Sequence, residues 1–156
     1  MLQQQAVEAY QNGYYSEKLQ QGLEYQDYVT DVLYQHGLVL VGYSSKKFQN
    51  EKGENVLGAE IKRDGKFRKT GNLYIELAEK SHPDKENYTQ SGINRDDNSW
   101  LYIIGDEKDI YIFSVKYLNL LKSRYKQVQT PTSIGLLVPL EEAKKYCIKH
   151  IQTTSP

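Results

Sequence analysis

The sequence predicts an α/β domain with a mixed central β-sheet flanked by helices, and three observations predict it. Residues 16–35 carry apolar side chains at helical spacing. Residues 56–64 and 72–77 alternate apolar with polar, as half-buried strands do. Residues 38–43, 100–104 and 110–113 are short runs rich in β-branched and aromatic side chains. A chain of 156 residues suits one core, and no Pro/Gly/Ser-rich linker divides it. We therefore expect a single domain over 1–156, with its core at about 16–151.

In chain order, the first dozen residues add a short helix or a frayed start. Residues 16–35 form a helix with Tyr25, Val29, Val32 and Leu33 on its inner face, Leu19 extending the stripe, Ser16 as N-cap and Gly37 as stop. Residues 38–43, Leu-Val-Leu-Val-Gly-Tyr, read as a buried strand, and 44–55 as a polar loop or hairpin tip. The next strand, 56–64, turns at Gly65, and 72–77 follows with Leu73, Ile75 and Leu77 on one side and Tyr74 and Glu76 on the other. Residues 81–99 form a long polar loop, of a length that often carries function. Residues 100–104 and 110–113 read as an antiparallel pair, 115–125 as a helix with Tyr117, Leu118 and Leu121 inward, and 134–138 as a strand. Pro139 then opens a final helix reaching Ile151.

Composition narrows the function classes. No apolar run approaches membrane-spanning length, and the first residues lack a basic start and apolar centre, so a cytoplasmic protein without a membrane partner is expected. Cys147 is the only cysteine, which excludes an internal disulfide framework and a multi-Cys zinc site; a buried structural thiol is the expected role. His36, His82 and His150 show no metal spacing, and Trp100 reads as a core anchor. There is no glycine-rich phosphate loop and no nucleophile elbow. Net charge is zero, which runs against a simple polyanion binder, although carboxylates clustered at a metal would mask basic residues elsewhere.

The chemically informative segment is Gly58-Ala-Glu60-Ile-Lys62-Arg-Asp64. Residues two apart on a strand share a face, about 7 Å from one to the next, so Glu60, Lys62 and Asp64 line up opposite Ala59 and Ile61. Downstream, Glu76 sits alone in an apolar run and needs a partner or a metal to offset its desolvation. If the two strands pair, Glu60, Asp64 and Glu76 can surround a hard cation such as Mg²⁺, with Lys62 beside its water. The residues alone leave a second reading open, a polar strand face with ordinary ion pairs.

Glu60-Ile-Lys62 resembles the E-x-K signature of the PD-(D/E)XK, or restriction-endonuclease-like, superfamily. Glu60-x-Lys62-x-Asp64, followed by Thr70-Gly-Asn-Leu-Tyr-Ile-Glu76 and by Ser91-Gly-Ile93, is similar to a subgroup common among phage and bacterial nuclease-like proteins. Gly22-Leu-Glu24-Tyr25 resembles the first helix of resolvase-like members, which bears an extra active-site glutamate. The resemblance covers about residues 16–114 and implies a restriction-endonuclease-like core performing metal-assisted phosphodiester hydrolysis on nucleic acid, DNA first. It implies catalytic roles for Glu24, Glu60, Lys62, Asp64 and Glu76, and Mg²⁺, or Mn²⁺, held by Glu54, Glu60, Asp64 and Glu76. It also implies phosphate contacts from Arg63, Arg68, Thr70, Asn72, Ser91 and Asn94, although Thr-Gly-Asn is a good turn sequence in any case. Many relatives of this kind dimerise to cut two strands, so a homodimer is in view.

One departure stands out. The superfamily places an acid on the strand before E-x-K, and no aspartate lies between His36 and Glu60. Glu54 is the best substitute and Glu51 the next; failing both, Asp64 and Glu76 supply the ligand. If no acid does, the alternative is a nuclease-fold module that binds nucleic acid or another protein without cutting.

Overall fold

A computed structural model describes residues 4–5 and 13–153; the reading of the first dozen residues falls almost wholly outside them. The described chain runs α1 (Tyr14–Gln35), α2 (Lys46–Lys52), β1 (Ala59–Arg63), α3 (Phe67–Thr70), β2 (Asn72–Glu79), β3 (Thr89–Gln90), a 3-10 turn (Gly92–Asn94), β4 (Leu101–Gly105) and β5 (Asp109–Ser114). It continues through α4 (Val115–Leu121), a 3-10 turn (Lys122–Arg124), β6 (Lys126–Gln129), β7 (Ser133–Pro139), α5 (Leu140–Tyr146) and β8 (Lys149–Gln152). Mixed α/β architecture is what the sequence predicts, but the strands divide into two sheets. One is mixed, in the order β1-β4-β5-β8 with β1 and β4 parallel; the other is antiparallel, β3-β2-β7-β6.

Alternation along the strands explains the layers. Ala59, Ile61, Leu101, Ile103, Ile110 and Ile151 on one face of the mixed sheet meet Tyr25, Val29, Val32 and Leu33 of α1. Tyr102, Ile104, Tyr111 and Phe113 on the other face meet Leu73, Ile75, Leu77, Leu136 and Val138 of the second sheet. The mixed sheet is thus covered by a helix on one side and by a sheet on the other, and not by helices on both. Leu118 of α4 and Ala143 of α5 help close the second cluster.

Strands β1 and β2 do not pair, contrary to the simplest reading. Between them the chain bends through α3, which buries Phe67 in the inter-sheet core, and this takes β2 out of the plane of β1. Several local expectations also change. Residues 38–43 form no regular strand: only Gly42 bridges Asn55, and Val39 and Val41 are 62% and 55% exposed. Part of the expected loop, 44–55, is α2, because the Ser45 hydroxyl accepts the Phe48 N–H and caps a turn. Ser16 lies inside α1, whose N-cap is Gly13. Tyr117 faces outward and Trp100 is half exposed, its indole N–H donating to the Leu57 carbonyl at 2.6 Å. Cys147, expected to be buried, is only partly so, and packs against the inter-sheet core. The last helix stops at Tyr146, since the Ile148 N–H donates to Ile112 O and residues 149–152 become the edge strand β8. No described helix is long and apolar enough to cross a membrane.

Candidate functional site

Parallel pairing with β4 sets Glu60 beside Tyr102 and Lys62 beside Ile104, on the face turned toward the second sheet. Glu76 arrives from that sheet, where it pairs with Gly135. The two sheets therefore bring together Glu60, Lys62 and Glu76, but not the Asp64 that direct strand pairing was expected to add. Lys62 Nζ lies 3.3 Å from Glu60 Oε1 and 3.6 Å from Glu76 Oε1. Glu54 joins them from the segment after α2, its Oε2 accepting the Ile61 N–H at 3.4 Å. A register shift between Glu76 and Ala78 moves the alternation by one residue and turns Glu79 toward the same cleft.

One ammonium thus serves four carboxylates. Burial pushes the Glu60 carboxyl up to about 7, against the pull of Lys62, and also raises Glu54 and Glu79. Burial alone would lower Lys62, but Glu76, Glu60, Glu54 and Glu79 outweigh it and hold the ammonium above the ordinary lysine range. Lys62 is accordingly a fixed cation and not a base. Two of the surrounding oxygens, Glu60 Oε2 and Glu76 Oε1, are buried and have no hydrogen-bond partner among the described residues. Among the described residues, no three His, Cys, Asp or Glu side chains are already gathered as a metal-binding group.

A cleft of about 660 Å³ opens on this cluster between α1, α2 and β2. Its α1 wall includes Leu19 and Gly22, but not Glu24, which is exposed and accepts the Gln20 amide at 3.1 Å. Asp64 is committed elsewhere: Oδ1 accepts the N–H groups of Lys66 (2.8 Å) and Phe67 (3.1 Å), and Oδ2 that of Tyr74 (2.9 Å). Arg63 is paired with Glu107, and Arg68 with Asp106 and Asp109. Thr70 and Asn72 bond one another within the turn while lining a neighbouring cavity. Asn94 Oδ1 accepts from Lys122 Nζ at 2.7 Å.

Ser91 is buried and Gly92 packs on β2, so this turn is a packing element of the site's scaffold. Gly92 sits at φ +54°, and a Cβ there would meet the Glu76 carbonyl carbon at 2.6 Å. Gly92→Ala is expected to cost about 2–4 kcal/mol, from strain plus displaced backbone. An unchanged urea midpoint would show that the turn yields freely.

Sequence reasoning missed Tyr102, whose buried hydroxyl accepts the Glu76 N–H at 3.4 Å, and it missed Glu79. The pairing of β1 with β4 would have pointed to Tyr102; nothing local announces the bulge that turns Glu79. The chain matches no protein-family model, no curated protein and no solved structure with which it was compared.

Proposed function

We propose that the chain is a metal-dependent phosphodiesterase acting on nucleic acid, DNA in the first instance, with Glu60 and Glu76 as the principal metal ligands, Glu54 as the third, and Lys62 as the catalytic cation. The observation that carries this reading is the pair of buried carboxylate oxygens without hydrogen-bond partners, flanking one ammonium at the mouth of an open cleft. Unpaired buried oxygens cost stability; the Arg95–Asp97 and Arg124–Glu142 pairs each leave one too, and what sets Glu60 and Glu76 apart is that both face the same ammonium. Glu76 and Lys62 line the cleft, and Glu60 is buried beside Lys62.

The donor set fits Mg²⁺ or Mn²⁺. Both are hard cations, and Mg²⁺ commonly takes one or two protein carboxylates and completes its shell with water and substrate phosphate. Bound there, the ion supplies Lewis-acid polarisation of a phosphoryl oxygen and a water of lowered pKa. Lys62, held protonated by its neighbours, places positive charge against the phosphate as negative charge grows in the transition state. The hydroxyl of Tyr102 and the backbone of β2 hold Glu76 in place.

That no three acids are already gathered favours a second reading, a module that binds without cutting. One experiment separates the two. Plasmid and single-stranded DNA are incubated with the chain in Mg²⁺, in Mn²⁺ and in EDTA, beside Lys62→Ala. Cleavage that needs metal and falls more than about a hundredfold in the variant is expected. A folded protein that neither cuts nor binds either ion by calorimetry establishes the second reading.

A further inference from the structure

We propose that the groove beside Lys62 accepts an unpaired nucleic-acid strand and that the Tyr74 ring is the platform on which a base next to the scissile phosphate stacks. The choice of nucleic acid rests on the phosphodiesterase reading; the platform itself rests on other residues.

A second cavity of about 470 Å³ lies against the first cleft, and the two share Lys18, Lys62, Arg63, Gly65 and Glu76 in their walls. The two adjoin across these residues, beside the acidic cluster. The second cavity has an apolar floor, with Ile104 of β4, Leu137 of β7 and the rings of Tyr74 and Tyr102. Lys66 adds a cation to its wall, and of its two carboxylates Asp64 is tied to backbone amides. The cavity thus sets the Lys66 ammonium beside flat apolar surface, the pairing that holds a phosphate and its base together.

Tyr74 is built to stay still. It stands on the side of β2 opposite Leu73 and Ile75, half-buried. The outer half of its ring sits over Gly135 on the paired strand, where a Cβ would meet Cε1 at 2.7 Å. Only glycine leaves room for the ring at that position. Its hydroxyl shares a 2.7 Å hydrogen bond with Ser133 Oγ. With one face supported and the tip tied, the ring gives up little freedom when a base arrives, so stacking on it is not offset by ordering. A base inside a duplex already has both faces covered by its neighbours, whereas an unpaired strand offers a free face. Single strands, flaps and frayed ends are therefore the substrate class.

The test uses the full chain in EDTA, where cleavage is suppressed, and two labelled oligonucleotides of about twelve nucleotides. One is oligothymidylate and the other the same phosphodiester chain without bases. Wild type is expected to bind the base-bearing strand about tenfold more tightly. Tyr74→Leu is expected to bind both at the lower level, and Gly135→Ala, which unseats the ring, to do the same. Tyr74→Phe keeps the ring and the preference. Lys62→Ala weakens both strands alike and also keeps the preference. A wild type that does not distinguish the strands, or that binds duplex alone, overturns the proposal, as does Tyr74→Leu retaining the preference. A base preference in a chain that never cuts would keep the platform and remove the enzyme; duplex cutting without the preference would do the reverse.

Discussion

Glu60→Gln is expected to make the metal-free protein more stable at pH 8 while abolishing the proposed cleavage of phosphodiesters. Burial pushes the Glu60 carboxyl from 4.5 up to about 7, so the folded state holds a proton that the unfolded chain has released. The stability linked to that proton is fully present below pH 4.5 and is lost as pH rises through about 7. By pH 8 the ionised, buried carboxylate costs roughly 3 kcal/mol. Glutamine has the same shape without that cost, and Lys62 keeps Glu76 at 3.6 Å. After allowing for the lost Lys62–Glu60 attraction, we expect a net gain of about 2 kcal/mol at pH 8 and almost none at pH 4.5. Urea midpoints at both values, in EDTA, measure the difference. Lower stability of the variant at pH 8 would mean that pairing with Lys62 outweighs desolvation, and Glu60 would then be an ordinary ion-pair partner. Added Mg²⁺ should raise the wild-type midpoint by mass action and leave that of the variant nearly unmoved.

That balance also explains which parts of the site the sequence discloses. Glu60 and Glu76 are visible because each is a carboxylate beside apolar residues on a strand, a placement that demands a partner whichever strands pair. How they meet was not visible. Period-two alternation names the faces of β1 and β2 but not their neighbours, and both strands would look the same in one sheet or in two. The turn of α3 that separates them depends on Phe67 reaching a core assembled largely from later strands. Arg63 and Arg68 read as phosphate-seeking cations, yet their partners, Glu107 and Asp106 of the β4–β5 turn and Asp109 at the start of β5, lie far away in sequence. The short strands β6 and β8 are the least legible. Lys126–Gln129 has one apolar residue in four, and Lys149–Gln152 continues a helical pattern until pairing with β5 decides otherwise. The apolar run at 38–43 errs in the opposite direction, since it has the composition of a buried strand and no partner beyond one bridge.

Asp64 gives the second large effect, and its role separates scaffold from chemistry. Its spacing from Glu60 and Lys62 suggests a metal ligand, while its three backbone hydrogen bonds make it a clamp between β1, the turn into α3 and the start of β2. The signal for the clamp is local: an aspartate whose carboxylate meets the amides two and three residues ahead is a capping pattern, and Asp64-Gly-Lys-Phe67 fits it. Asp64→Asn leaves an oxygen for Lys66 and Phe67 but turns an amide N–H toward that of Tyr74, so a donor faces a donor. The expected loss is about 2 kcal/mol. Asp64→Ala strands all three amides of a residue only 9% exposed and should cost about 3–4 kcal/mol. Because the clamp holds the strand of Glu60 and Lys62 against the strand of Glu76, cleavage by either variant should fall near its melting temperature and recover on cooling. Mg²⁺ affinity of folded Asp64→Asn should stay within a few-fold of wild type by calorimetry, since the proposed ligands remain. An Asp64→Asn protein as stable as wild type that no longer binds Mg²⁺ would return Asp64 to the metal and remove the distinction drawn between it and Glu60.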